Sequence, residues 1–471
     1  MKLRASRRTA ALATLATVVS VGVWLPASSG LASTSLAGPV TAAVSTSPPN
    51  ILIINTDDQR YTESLAVMPK VRAYFADHGT EFVNGEVTTS LCCPSRTSFF
   101  SGRYSHNTGI TGNGLDALIA SFDQDSTIQG YLQSAGYNTA IVGKYLNTYP
   151  LMDDPENWTK WATTTGGYYD VPFNVNSTFV GTNGYYTRSL GDFASSFLQS
   201  FEAHDAKPWF MYLAPEAPHS PYKPSPKYLN AAVPDAVHPP NWNEQDVSDK
   251  PLAVRWRSPV SQSDYLNKRT QMLRTLMSVD DLVQRVTRQM KALGESQNTL
   301  AVFMSDNGYM WAEHRIMDKR FPYMESVEVP FLVRWPGHIE QGVTSTRLVT
   351  QIDLLPTALQ AAQAAPVLTY PLDGQSLLND TPRSEVLLEY FKSQDSGLFP
   401  WASLRGEDWQ YVEWYDADTG DIIFREYYDL ASDPYQMTNL LRDGIDGNEP
   451  IVKRLHDRLA ADRTCVGTAC P

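Results

Sequence analysis

The sequence predicts an α/β protein: a large domain with a mostly parallel central sheet flanked by helices, then a small C-terminal α+β subdomain with an antiparallel sheet. Two observations carry this reading. Up to about residue 380, short apolar runs of strand length alternate with helical patterns, the order that builds parallel sheets. After about residue 380, strand-like runs follow one another with turn residues between them. The length, 471 residues, suffices for one large domain plus a smaller one.

Taken in order, residues 1–32 read as a secretory signal peptide. Lys2, Arg4, Arg7 and Arg8 form a basic start, an apolar stretch follows from Thr9 to about Pro26, and small residues offer a cleavage site. The expected location is therefore secreted, extracellular. Residues 33–48, rich in Ser, Thr, Ala and Pro, read as a flexible leader. Residues 49–380 are expected to form the catalytic domain and 381–471 the C-terminal subdomain. Four apolar runs, Ile51–Ile54, Thr139–Val142, Trp209–Leu213 and Thr299–Met304, read as buried strands. Pro69 to His78 reads as a helix, with proline near its start and Gly79 after its end. Leu273 to Leu293 reads as an amphipathic helix. Residues 150–200, with weak periodicity, and 216–262, rich in proline, read as long surface excursions. Glu385–Tyr390, Trp409–Trp414 and Asp421–Tyr428 read as antiparallel strands, with a turn at Asp418-Thr419-Gly420, and a last helix runs from about Pro450 to Ala461. No stretch after the leader is long and apolar enough to span a membrane.

Removing the first 50 residues, which hold four basic and no acidic side chains, takes the formal charge from −13 to −17. A chain this acidic does not read as a nucleic-acid binder. An anionic substrate would have to be drawn by a local basic pocket. Of the four cysteines, Cys465 and Cys470 are placed to close a small disulfide loop in an exported protein. Cys92 and Cys93 are adjacent, an arrangement that strains a mutual disulfide, and need another explanation.

Ligands in open α/β sheets gather beyond the carboxyl ends of the strands, so the residues after each apolar run are informative. Ile51–Ile54 leads to Asp57 and Asp58, and Thr299–Met304 to Asp306 and Asn307. From neighbouring strands these would assemble a hard, oxygen-rich set suited to Ca²⁺ or Mg²⁺. Thr139–Val142 leads to Lys144, and Trp209–Leu213 to His219. A lysine and a histidine at strand ends can bind an oxyanion and protonate a leaving group. The segment Cys92-Cys93-Pro94-Ser95-Arg96 through Gly102 places Cys92 at a helix start, where free N–H groups favour anions, with Arg96 one turn on. A thiol there is expected to be acidic, yet no paired Cys/His motif of a cysteine hydrolase is present.

Residues 92–102 match at every fixed position the signature Cys-x-Pro-Ser-Arg-x-x-x-(Leu or Phe)-(Thr or Ser)-Gly. In this the chain resembles the type I sulfatases of the alkaline-phosphatase superfamily, and the resemblance runs over about residues 49–445. It implies an alkaline-phosphatase-like catalytic domain and conversion of Cys92 to formylglycine (3-oxoalanine) by a formylglycine-generating enzyme. It implies one Ca²⁺ held by Asp57, Asp58, residue 92, Asp306 and Asn307. It also implies sulfate binding by Lys144 in Gly-Lys-Tyr, His219 in Ala-Pro-His and Lys319 in Asp-Lys-Arg-Phe-Pro-Tyr. The Cys-Cys-Pro-Ser-Arg, Gly-Lys-Tyr-Leu-Asn and Ala-Pro-His-Ser-Pro segments look most like N-acetylglucosamine-6-sulfatases and extracellular heparan sulfatases. Asn147 and His314 are further candidates for substrate contact. One departure stands out: the family's frequent Lys-x-His carries Leu146 in place of the histidine.

The mechanism this implies begins with the hydrated aldehyde, one hydroxyl of which, polarised by calcium and Arg96, attacks sulfur. Lys144, Lys319, His219 and the metal hold the sulfate oxygens, and His219 or Lys319 protonates the leaving alcohol. The second hydroxyl then loses its proton and sulfate departs. The implied activity is release of inorganic sulfate from a sulfated carbohydrate, of N-acetylglucosamine-6-sulfate or glycosaminoglycan type, or from an aryl sulfate. The alternatives are a formylglycine-dependent phosphonate or phosphodiester hydrolase and, if Cys92 stays a thiol, a non-catalytic carbohydrate-binding protein.

Overall fold

A computed structural model describes residues 47–114, 119–203, 206–391 and 398–471. The signal peptide and most of the leader lie outside the described residues.

The first strands are β1 (Asn50–Thr56), β2 (Thr80–Phe82), β3 (Gly85–Glu86), β4 (Asn138–Lys144), β5 (Lys160–Thr164), β6 (Pro172–Val175), β7 (Thr178–Gly181) and β8 (Trp209–Ala214). They are followed by β9 (Thr299–Ser305), β10 (Phe331–Arg334), β11 (Val343–Ser345) and β12 (Val349–Thr350). Ten of them form one sheet in the order β11-β2-β10-β9-β1-β8-β4-β5-β6-β7. The central run β9-β1-β8-β4-β5 is parallel, and antiparallel pairs extend it on both sides. The four apolar runs of the sequence are thus four adjacent strands, buried on both faces, which is why they lack polar alternation. Side chains of β1 alternate between two cores: Leu52 and Ile54 face one cluster, and Ile51 and Ile53 the other. The first core takes the helices Tyr186–Glu202 and Gln262–Leu293; the second takes Cys92–Ser101, Ile128–Ser134 and Leu354–Ala361.

Several elements differ from expectation. Residues 150–200 are no simple excursion, since they hold β5, the β6–β7 hairpin and a 17-residue helix. The hairpin turns on Asn176 and Ser177, both at positive φ, a tight turn made without the glycine that usually marks it. The helix carries a stripe of Leu190, Ala194, Phe197, Leu198 and Phe201 that a polar and aromatic composition obscures. The helix ending at Leu293 starts at Gln262, eleven residues before the expected start, with Ser261 as its cap (Asp264 N to Ser261 Oγ, 3.1 Å). The segment from Pro69 is helical to Ala76. Residues 216–262 hold the short helix Leu252–Arg255 and are otherwise irregular, as expected.

The C-terminal sheet has four antiparallel strands, β13 (Glu385–Tyr390), β14 (Trp401–Gly406), β15 (Trp409–Tyr415) and β16 (Ile422–Asp429), in sequential order. The sequence reading missed β14. Its Arg405, a residue uncommon in buried strands, is held by Glu86 at 3.0 Å. The last helix is Val452–Asp462. Cys465 and Cys470 are disulfide-bonded, and the loop they close is tied down where Gly467 N donates to Asp373 Oδ1 at 2.6 Å. No helix among the described residues is long and apolar enough to cross a membrane.

Candidate active site

The parallel pairing of β1 with β9, Thr56 opposite Ser305, sets the two acidic strand ends side by side. Asp57, Asp58, Asp306 and Asn307 follow at once, all buried. Cys92 is the first residue of its helix, and both it and every later residue of that helix are buried. The helix start has no side-chain cap from Leu91; Cys93 N is instead satisfied by Asn113 Oδ1 at 2.9 Å. The turn at Gly102, in the left-handed region, ends it.

These elements converge. One ligand atom each from Asp57, Asp58, Cys92 and Asp306 lies within 4.8 Å of the others. The Cys92 thiol donates to Asp57 Oδ1 at 3.5 Å, and Lys319 Nζ donates to Cys92 Sγ at 2.7 Å and pairs with Asp58. Lys144, at the end of β4, pairs with Asp57. Its approach depends on Gly143, whose φ is +112° and where a β-carbon would stand 2.1 Å from the Ala214 carbonyl oxygen. Arg96 Nε donates to Asp306 Oδ2 at 2.8 Å, and its Nη2 lies 3.5 Å from Asp57 Oδ2. Nη1 of Arg96 donates to the Lys144 carbonyl at 3.0 Å and to the Tyr212 hydroxyl at 3.2 Å. His219 completes the rim, with Nε2 3.9 Å from Asp58 Oδ2.

The sequence candidates Asp57, Asp58, Cys92, Arg96, Lys144, His219, Lys319, Asp306 and Asn307 are therefore in one place. Two others are not linked to it by any described contact. His314 is wholly buried, 2.6 Å from Glu244 and against the Tyr323 ring. Asn147 turns its backbone carbonyl toward Cys93 Sγ at 4.0 Å. Sequence reasoning missed Tyr212 and Asn55, whose Nδ2 donates to the Tyr212 hydroxyl at 2.7 Å. A tyrosine amid the apolar residues of a buried strand was the available signal, since its hydroxyl must find a partner there.

The electrostatics follow from burial and pairing. Burial alone would raise the Asp57 carboxyl, but Lys144, His219, Arg96 and Lys319 together hold it well below the usual carboxylate range. Burial opposes the charge on Lys144, yet Asp57 and Cys92 raise it above its ordinary value. His219 is disfavoured as a cation by burial but is pushed up to about 9 by Asp57 and Asp58. The Cys92 thiol departs from expectation: burial and the neighbouring Asp57 push it up to about 12, so the lysines do not make it acidic. As a plain thiol it stays protonated near neutrality and is a poor nucleophile.

The residues fit a hard divalent ion. Three carboxylates face one another, and the Asn307 Oδ1 atom is buried without a hydrogen-bond partner. Arg96, Lys144 and Lys319 match the three carboxylates charge for charge. A divalent ion would therefore leave the site with surplus positive charge for an anionic substrate.

Strand ends that gather three carboxylates and three buried cations around one helix start suit work on an anionic ester. The chain belongs to the type I sulfatase family of the alkaline-phosphatase superfamily and is a sulfuric ester hydrolase. The family described as Sulfatase matches residues 49–364, and a C-terminal family described as N-sulphoglucosamine sulphohydrolase matches residues 312–464. The chain is 31% identical to an N-acetylglucosamine-6-sulfatase of Capra hircus, over 91% of this chain and 86% of the relative. It is 30% identical to an arylsulfatase of Volvox carteri, over 92% and 77%. A solved structure described as in complex with its substrate D-glucosamine-2-N,6-O-disulfate superposes with a TM-score of 0.75 at 23% identity, covering 88% of this chain and 97% of that one.

Proposed function

We propose that the protein releases inorganic sulfate from a sulfated carbohydrate, with N-acetylglucosamine-6-sulfate or a related glycosaminoglycan unit as the substrate class, using a formylglycine made from Cys92 and a bound Ca²⁺. The observation that carries the chemistry is the placement of Cys92 Sγ between Asp57 and Lys319, inside the acid cluster. The Sγ position stands in for the oxygen of the modified residue. The substrate class is supported by the names of the relatives and by the three motifs shared with glucosamine and heparan sulfatases.

When present, the hydrated formylglycine supplies the nucleophilic oxygen and a second hydroxyl through which sulfate is later expelled. Asp57, Asp58, Asp306 and Asn307 would hold the calcium ion, which supplies fixed positive charge at the reacting centre. The chain's own groups do the rest. Lys144 and Lys319 neutralise the sulfate oxygens as charge builds on them, and Arg96, locked by Asp306 and Tyr212, adds a buried cation beneath the helix start. His219 Nε2 delivers a proton to the departing alcohol oxygen. Among the described residues His219 is the one histidine in the cluster, so with Leu146 in place of the family's common histidine no second imidazole is at hand.

We further propose export after removal of residues 1–32, a leader at 33–48, modification by a formylglycine-generating enzyme before folding closes the buried site, and catalysis by residues 49–380 with 381–471 as supporting subdomain. The test of substrate class is a panel of sulfated monosaccharides, glycosaminoglycan fragments, 4-nitrophenyl sulfate and a matching phosphodiester. The highest kcat/KM is expected on a 6-sulfated glucosamine. The phosphodiester turned over faster than every sulfate ester would overturn the proposal.

A further inference from the structure

Strand β8 runs directly into Pro215, Glu216, Ala217, Pro218 and His219. Glu216 is only 7% exposed, and a buried carboxylate is costly unless something uses its charge. Its Oε1 stands 3.5 Å from His219 Nδ1, while its Oε2 is buried without a hydrogen-bond partner. The backbone closes over this group: at Gly166, with φ +99°, a β-carbon would lie 2.0 Å from Oε2, so no other residue fits without displacing the carboxylate. His219 Nδ1 also lies 2.9 Å from the Ser220 carbonyl oxygen. A carbonyl only accepts, so Nδ1 carries a proton, and the ring turns Nε2 toward the acid cluster. The Tyr168 hydroxyl donates to the His219 carbonyl at 2.6 Å and pins the backbone of the same residue.

We propose that Glu216 is a positioning residue for ester cleavage, holding the His219 imidazole with Nδ1–H inward and Nε2 facing the scissile oxygen. The proposal rests on the reading of His219 as proton donor to the leaving alcohol. In that step an oxygen of residue 92, its proton already given up, bonds to sulfur as the sulfur–oxygen bond to the alcohol breaks; the electron pair of the broken bond passes to the alcohol oxygen, and the Nε2 proton follows it, leaving a neutral ring with its remaining proton on Nδ1. A carboxylate that orients an imidazole acts through ring geometry and tautomer. Its loss should therefore be felt only where the leaving group needs the proton.

The test measures kcat and KM of the modified, calcium-loaded enzyme on aryl sulfates whose phenols range from nitrophenol to poorly acidic ones. The variants are E216A, E216Q, H219A and E216A/H219A, with folding checked by thermal unfolding. E216A is expected to lower kcat about 10- to 100-fold on the poorest leaving groups and less than about threefold on 4-nitrophenyl sulfate, with KM unchanged. In the H219A background, E216A should add no further loss. E216Q, which keeps the side chain's shape and an acceptor oxygen beside Nδ1 but not its charge, should show a smaller loss with the same trend across the series, and it decides the matter if E216A does not fold. An E216A loss equal for all leaving groups, or fully additive with H219A, overturns the proposal. A flat series for H219A overturns the donor reading itself, whereas a steep H219A series beside a flat E216A series overturns the role of Glu216 alone.

Discussion

Replacing Cys92 with alanine abolishes sulfate release: turnover is expected to fall by roughly 10⁴-fold or more, the scale on which hydrolases lose activity with their nucleophile. The loss is chemical. The Cys92 side chain is buried and touches Asp57 and Lys319, and removing one atom there leaves the helix, its Asn113 cap and the surrounding ion pairs in place. Thermal unfolding should stay within about 1–2 kcal/mol of the parent. Serine at position 92 is the sharper control. It offers one hydroxyl and no second, so a sulfated serine has no internal route to expel sulfate, and the variant is expected to be inert or to accumulate a mass-detectable sulfate adduct. Normal turnover by C92A would mean that another group attacks sulfur.

Exhaustive removal of divalent ions is expected to lower turnover by about 100-fold or more, in line with the contribution of a metal that stabilises transition-state charge. In the structure the three acids are already paired with Arg96, Lys144 and Lys319, so the chelated protein should remain folded while its site loses the excess positive charge that holds a sulfate ester. Adding back Ca²⁺ should restore activity and raise the unfolding temperature in a concentration-dependent way. Mg²⁺ should do so less well, since it demands octahedral geometry and gives up its waters reluctantly. Full activity after chelation would contradict the reading of Asp57, Asp58, Asp306 and Asn307 as metal ligands.

Much of the site was legible because it is built from strand ends. Residues Asp57, Lys144, His219 and Asp306 each stand at or just past the end of a buried strand, and such strands announce themselves as unbroken apolar runs. The helix start at Cys92 was equally plain, since proline, arginine and glycine stand at fixed offsets from it. What escaped depends on three-dimensional neighbours. Glu216 sits in a proline-rich segment that reads as surface, and only the fold brings Gly166 down on it. The helix position alone reads as acidifying for the Cys92 thiol, but deep burial and Asp57 push it up against the opposing pull of Lys319 and Lys144. His314 looked available in Ala-Glu-His-Arg, yet Glu244, seventy residues earlier, claims its ring. Strand β14 was missed because its pattern mixes Ser403 and Arg405 with apolar residues, and the carboxylates that balance the buried Arg405 charge, Glu86 and Glu328, are distant in sequence.

Catalysis here requires an aldehyde at residue 92. Mass spectrometry of the peptide that carries it, from protein made alongside a formylglycine-generating enzyme, tests this most directly. The expected peptide is about 18 Da lighter than its cysteine form, in a fraction that rises with specific activity from one preparation to the next. A fully active preparation in which the same peptide carries only an intact thiol would contradict it.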